Sequence, residues 1–390
     1  MNQALSRGAL AALLLGAFVS QLAYAVAQPL LPMLLDRIGA GVSLHTGLLT
    51  GTYAAALFLF APLWGAASDR WPRRTVFLAG LGGFALAALV VSFVGSLPAL
   101  YAGLFLAGGF SAAIWPVALA MLADRDVDVN VRGRHFSWIY GAVTAGLLTG
   151  PALGGLLGGK LTANASLAGL PFLLIGTLAA AAALLAAWTL PPERDRRRAE
   201  LQPASDRAKL IMLLFLSLLV GWGIGTFEVV LTLRAAKELG LGPGGIGWLF
   251  VDCMLVMVAT QLLLSRKGFI PEWGRFLLAP TFGLLGLTLL GMGYAGSLAG
   301  LALAVSGVAA ALGMLSPIIG YSISLAAGDV QGRELGRVTA AASLGQGLGA
   351  STGGFLYGAG IAPALAALLA LLGALVAVRL LRQPTTCGMA

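Results

Sequence analysis

Of the 15 acidic residues in this 390-residue chain, two lie well inside long apolar runs, Glu228 and Asp252. A carboxylate far from water is costly unless it is paired, hydrated or protonated, so such an acid is a functional candidate by default. Glu228 lies about six residues from Arg234 and Asp252 about eight from Gly244, which at helical rise sets both roughly 9 to 12 Å inside their runs. If the two helices are neighbours, the acids are suited to reversible, shared protonation. Glu228 shares a helical face with Gly221, Gly225 and Thr232 and so turns toward protein or a cavity rather than lipid. The competing account is that both acids bond nearby hydroxyls or backbone and only fix packing. Asp36, at the end of its run, reads as an interfacial charge.

Other chemistry-bearing patterns are weaker. Asp124-Arg125-Asp126-Val127-Asp128 has the spacing of a calcium loop, but Val129 stands where glycine is needed and His135 where the closing glutamate should be. Gly221-x-Gly223-x-Gly225 and Gly345-x-Gly347-x-Gly349 follow no strand, which excludes a nucleotide-binding turn. His45 and His135 fall on opposite sides of the predicted membrane and cannot share a metal. No catalytic residue, metal or cofactor is expected, and a lipid-linked transferase would need an acid cluster that the sequence lacks.

The elements that must position these residues follow from composition. Hydrophobic residues make up 59% of the chain and charged residues 10%, against roughly 25% charged in soluble domains. Runs of about 20 apolar residues span the hydrocarbon of a bilayer, and they fill the chain between short charged clusters. The 55 glycines fit close helix packing in a membrane rather than disorder. The net charge of +9 is scattered over many loops, which argues against nucleic acid. Cys253 and Cys387 cannot form a disulfide framework.

Hydrophobic runs predict helices at 9–32, 45–65, 75–95, 99–122, 136–159 and 168–190, then at 209–233, 246–265, 275–295, 298–326, 334–358 and 361–381. Ser316-Pro317 should kink the tenth. The fold expected is therefore all-α, with twelve transmembrane helices in two pseudo-symmetric six-helix bundles, 1–190 and 209–390, joined by a charged cytoplasmic linker at 191–208. With both termini inside, 20 of the 24 basic residues are cytoplasmic and only Arg37, Lys160, Arg234 and Lys237 are outside, as the positive-inside rule requires. Arg7, an apolar run and Ala25-Val26-Ala27 imitate a cleavable signal, but apolar sequence continues through Leu35 and the segment has a counterpart half a molecule later. There Phe227-Glu228-Val229-Val230-Leu231-Thr232 echoes Ala27-Gln28-Pro29-Leu30-Leu31-Pro32.

Two strings carry a resemblance. Gly65-Ala66-Ala67-Ser68-Asp69-Arg70-Trp71-Pro72-Arg73-Arg74 resembles the loop signature between helices 2 and 3 of the major facilitator superfamily, with Pro72 replacing its second glycine. Gly146-Leu147-Leu148-Thr149-Gly150-Pro151-Ala152-Leu153-Gly154-Gly155 matches the helix 5 motif of that superfamily's drug-proton antiporters. The resemblance implies that Asp69 is a gating residue paired with Arg125 and supported by Arg70 and Arg73. It implies that Gly146, Gly150, Pro151, Gly154 and Gly155 form a close-packing, bendable face. In that family the first helix of each three-helix unit lines a central cavity. Gln21, Tyr24 and Gln28, within roughly a 60° arc of helix 1, would then be a substrate wall, with Trp115 and Ser111 adding an aromatic surface. Interhelical bonding or plain packing are the rival readings. The helix 4 arginine often tied to proton coupling in the family is missing, since Tyr101 to Met121 is uncharged.

The leading expectation is a monomeric, proton-coupled exporter of small, partly apolar organic compounds in the cytoplasmic membrane, embedded in lipid and working by alternating access. An importer or facilitator of a metabolite is the alternative. An integral membrane enzyme or a non-transporting receptor is remote.

Overall fold

The computed structural model describes residues 6–37, 42–93, 95–126, 128–161, 169–192, 206–241, 243–266, 269–357 and 362–382. Helices account for nearly all of them, and no strand occurs among the described residues. The first seven are α1 (Arg7–Arg37), α2 (Val42–Arg70), α3 (Arg73–Ser92), α4 (Leu97–Ser111), α5 (Trp115–Arg125), α6 (Val129–Leu161) and α7 (Leu170–Thr189). The remaining six are α8 (Arg207–Lys237), α9 (Pro243–Leu264), α10 (Phe269–Tyr294), α11 (Leu298–Ala326), α12 (Gln331–Tyr357) and α13 (Ala362–Arg382). Taking α4 and α5 together, nine of them are long and apolar enough to cross a membrane among the described residues. With only self-bonded backbone in those spans, helices are what a bilayer permits.

Local chemistry sets the boundaries. Asp206 accepts the Lys209 amide at 3.0 Å and starts α8, and Ser297 accepts that of Gly300 at 3.2 Å and starts α11, both as N-caps. Gly328, at φ 59°, makes the left-handed turn between α11 and α12 that a side chain would resist. The run predicted at 99–122 is broken. The amides of Ala113 and Ile114 reach back only to Phe110 and Ser111, and the helix restarts at Trp115-Pro116. Pro116 has no amide for the preceding turn and its ring crowds that turn, so the chain tightens and begins again. By contrast α11 runs unbroken through Pro317.

Two compact units result. One comprises Met1–Val127, Trp138–Pro203 and Gly328–Ser343; the other comprises Asp128–Ser137, Ala204–Ala327 and Leu344–Ala390. Within the first, α3 packs between α4 and α7, α2 lies against α4, and α1 joins α7 to α2. Within the second, α10 packs between α11 and α13, α9 lies against α11, and α8 joins α13 to α9. The neighbour pattern repeats helix for helix.

Candidate functional site

The first chemical centre lies where α2 ends. Asp69 and Arg73 sit four residues apart across the α2–α3 turn, both buried, and pair through Arg73 Nη2 at 3.1 Å. Arg73 also donates through Nε to Asp124 near the end of α5, and through Nη1 to Ser68 Oγ at 3.1 Å. One buried guanidinium therefore serves two carboxylates. Asp69 also reaches the start of α12, accepting the Gly332 amide at 2.7 Å and the Arg333 amide at 2.8 Å. The first amides of a helix are unpaired donors at the positive end of its dipole, so a carboxylate there is strongly held. The approach depends on glycine: a Cβ on Gly65 would run into the Gly332 carbonyl, and one on Gly336 into that of Ala61.

The expected partner of Asp69, Arg125, stands one residue beyond Asp124, which takes Arg73 instead. Arg70 is exposed. Arg74 donates to the Ala187 carbonyl at the end of α7. Glu334, in the first turn of α12 and 1% exposed, accepts from Arg333 at 3.1 Å and Arg337 at 2.9 Å.

The second centre lies in the other unit, on α8. Glu228, partly buried, accepts from Gln346 Nε2 of α12, with Oε1 at 3.2 Å and Oε2 at 3.3 Å. Asp252 on α9 accepts from Ser306 Oγ of α11 at 2.8 Å. The two acids thus bond different neighbours rather than each other. Cys253, buried, lies within electrostatic reach of both. Neither of these bonds brings a compensating cation to its acid.

Two of the three residues of the α1 stripe have described neighbours. Tyr24 stacks on Tyr53 of α2, centroids 5.1 Å apart. The two rings line a small apolar pocket with Thr50, Phe84 and Phe172. Gln21 turns its Cβ toward Gly146 of α6. The side chain of Gln28 lies outside the described residues, as do those of Pro151, Gly154 and Gly155. Trp115 packs edge-on against Tyr140 of α6 at 5.7 Å, and Ser111 is fully buried.

Gly146 and Gly150 set α6 on the backbone of α1: a Cβ on Gly146 would strike the Phe18 carbonyl, and one on Gly150 the Ala25 Cβ. Sequence reading missed that α12 carries the same spacing, Gly345-x-x-x-Gly349-x-x-x-Gly353-Gly354, with Ala350 in the place of Pro151. It meets the backbone of α8 in the same register. Gly345 abuts the Leu218 carbonyl, Gly349 that of Trp222, and Gly353 the Cα of Thr226. The alternating Gly345-x-Gly347-x-Gly349 reading hid this four-residue period, although a comparison of the two halves at that spacing exposes it. Gln346, Ser306 and Asp124 were also missed, and nothing local in sequence marks them.

Spanning helices in two like-packed units, with acids buried among them, define a multi-pass helical membrane protein. The chain belongs to the Major Facilitator Superfamily, whose family model matches residues 13–314. That is a family of transporters. The tetracycline resistance protein, class H, of Pasteurella multocida is 38% identical over 133 residues, 34% of this chain and 33% of that protein. The match thus spans about a third of that relative's length. Multidrug resistance protein 2 of Bacillus subtilis (strain 168) is 24% identical over 360 residues, 88% of each chain. Among solved structures, the human organic anion transporter MFSD10 (TETRAN) superposes with a TM-score of 0.83 at 22% identity, over 96% of this chain and 100% of that one, which shows the shared fold.

Proposed function

We propose that the chain exports small, partly apolar organic compounds in exchange for protons, and that Glu228 is the proton carrier. The observation behind this is the identity of its partner. Asp69 is held by a guanidinium and two helix-terminal amides, all of which favour the charged carboxylate. Glu228 is held by a neutral amide, so nothing in that bond prevents it from taking a proton when its surroundings change. An uncompensated acid within a membrane span is the kind of group that transporters use as a relay.

Outward movement is supported by the helix 5 string at 146–155 and by the relatives, which are named for tetracycline and multidrug resistance. The low charge of the spans suits a cargo with little charge of its own. The two halves, 1–190 and 209–390, would alternate access as bundles joined by 191–208. The protein would act as a monomer in the cytoplasmic membrane, both termini inside.

Everted vesicles carrying an imposed proton gradient test the reading, with tetracycline and ethidium as probe cargos and an acridine dye as the proton reporter. Cargo should release protons from wild-type vesicles and fail to do so from Glu228→Gln, with both proteins equally abundant and folded. Undiminished proton release in the variant would reject Glu228 as the carrier.

A further inference from the structure

We propose that Gln346 is the positioning residue for Glu228, and that its side-chain amide converts the charge state of Glu228 into a change in the α8–α12 seam. The inference rests on the reading of Glu228 as the proton carrier and adds what receives the signal.

The nearly equal distances of Gln346 Nε2 to the two carboxylate oxygens, 3.2 and 3.3 Å, describe one NH₂ group shared by an anion with two equivalent acceptors. A protonated carboxyl is no longer symmetric. It keeps one acceptor and gains an O–H donor, which repels an NH₂ pointed at it. A glutamine carries both a donor and an acceptor at its tip. It accommodates the neutral acid by turning over, so that Oε1 accepts the new O–H, or by withdrawing. Gln346 therefore has two settings, one for each form of Glu228.

The seam gives that choice a consequence, because it has no slack. The Gln346 carbonyl lies where a Cβ on Gly225 would be, and the Gly345 and Gly349 backbones lie equally close to Leu218 and Trp222. Thr226 Oγ1 of α8 donates to the Gly349 carbonyl at 3.1 Å, tying the two helices one turn further along. Backbone packed on backbone does not deform gradually; it shifts between discrete arrangements. In the first unit the matching seam of α6 on α1 has Leu147 where Gln346 stands and Pro151 where Ala350 stands, so the amide is peculiar to the second.

Few other charges face Glu228. From α9, Cys253 lies within electrostatic reach of Glu228 and of Asp252, and Asp252 is bonded to Ser306 of α11. From α12 comes Gln346. On α8 itself, Thr232 donates to the Glu228 carbonyl at 2.8 Å, and Arg234 pairs with Glu238 at 2.9 Å. Helix α11 carries no charged residue, and α10 and α13 carry theirs only near their ends.

Trp222 offers a reporter, since it is 6% exposed and its backbone is what Gly349 touches. The purified full-length protein is titrated with acid. Proton uptake is followed by a pH-indicator dye and the seam by tryptophan fluorescence, the Trp222 share being the part lost in Trp222→Phe. Wild type should show both signals and Glu228→Gln neither. The nearly isosteric Gln346→Met should still take up the Glu228 proton while the Trp222 response is lost. Gln346→Leu, which likewise offers neither donor nor acceptor, should lose the response in the same way and stands in if the methionine variant does not fold. A full Trp222 response in Gln346→Met overturns the proposal and leaves Glu228 as the carrier. Unchanged proton uptake in Glu228→Gln removes the carrier reading itself.

Discussion

Asp69 and Glu228 are both carboxylates drawn out of water, and their partners give them opposite characters. Asp69 faces Arg73, which is fully buried, together with two amides of α12. Removing one member of a buried pair strands the other, at a cost on the order of 3 kcal/mol. Arg73→Ala should therefore lower thermal stability markedly by scanning fluorimetry. Arg73→Lys should lower it less, because an ammonium keeps the charge but cannot serve Asp69, Asp124 and Ser68 together. Equal losses in the two variants would show that the charge counts for little. At Glu228 the partner is neutral, and Glu228→Gln should leave melting nearly unchanged, since an amide replaces a carboxylate against another amide. Both acids were legible as unusual residues in unusual places. Their partners were not, because Gln346 lies 118 positions from Glu228 and Gly332 lies 263 from Asp69.

At the scale of elements, glycine spacing separates the residues that hold helices together from those that do not. Gly349 touches the Trp222 backbone, whereas Gly347, two residues earlier, has open space where a Cβ would go. Gly347→Ala should be neutral or stabilising by up to about 1 kcal/mol, since alanine is the better helix former. Gly349→Val forces α12 off α8 and should destabilise by about 1 to 3 kcal/mol, as overpacked interfaces do. Chemical unfolding of the two variants beside wild type provides the check, and equal behaviour would remove the seam. The predicted run at 99–122 shows what a hydropathy reading overlooks. Its apolar length was right, but the break before Pro116 depends on backbone hydrogen bonding to which a hydrophobic count is blind.

At the scale of the whole molecule, the charge distribution carries the expected orientation. Placing the basic loops inside puts the linker and both termini in the cytoplasm. A phosphatase reporter fused after Gly242 should be active and one fused within 193–205 inactive, the reverse holding for a fluorescent reporter that matures only inside. Opposite activities would invert the scheme. Among the described residues, α6, α12 and α13 fall outside the nine apolar spans. Two of them, α6 and α12, carry the glycine strings.

Apolar length, charge placement and the two motifs were enough to establish from sequence that this is a multi-pass helical protein resembling one transporter superfamily, because a bilayer constrains each segment separately. Every spanning run must be long, apolar and helical whatever surrounds it, and that information is local. The partner of each buried acid, the division of the α1 stripe between a tyrosine pair and a glycine face, and the match of α12 on α8 to α6 on α1 were decided by tertiary structure alone. They depend on which side chains meet across helices remote in sequence, and a hydrogen bond is specified by both of its ends.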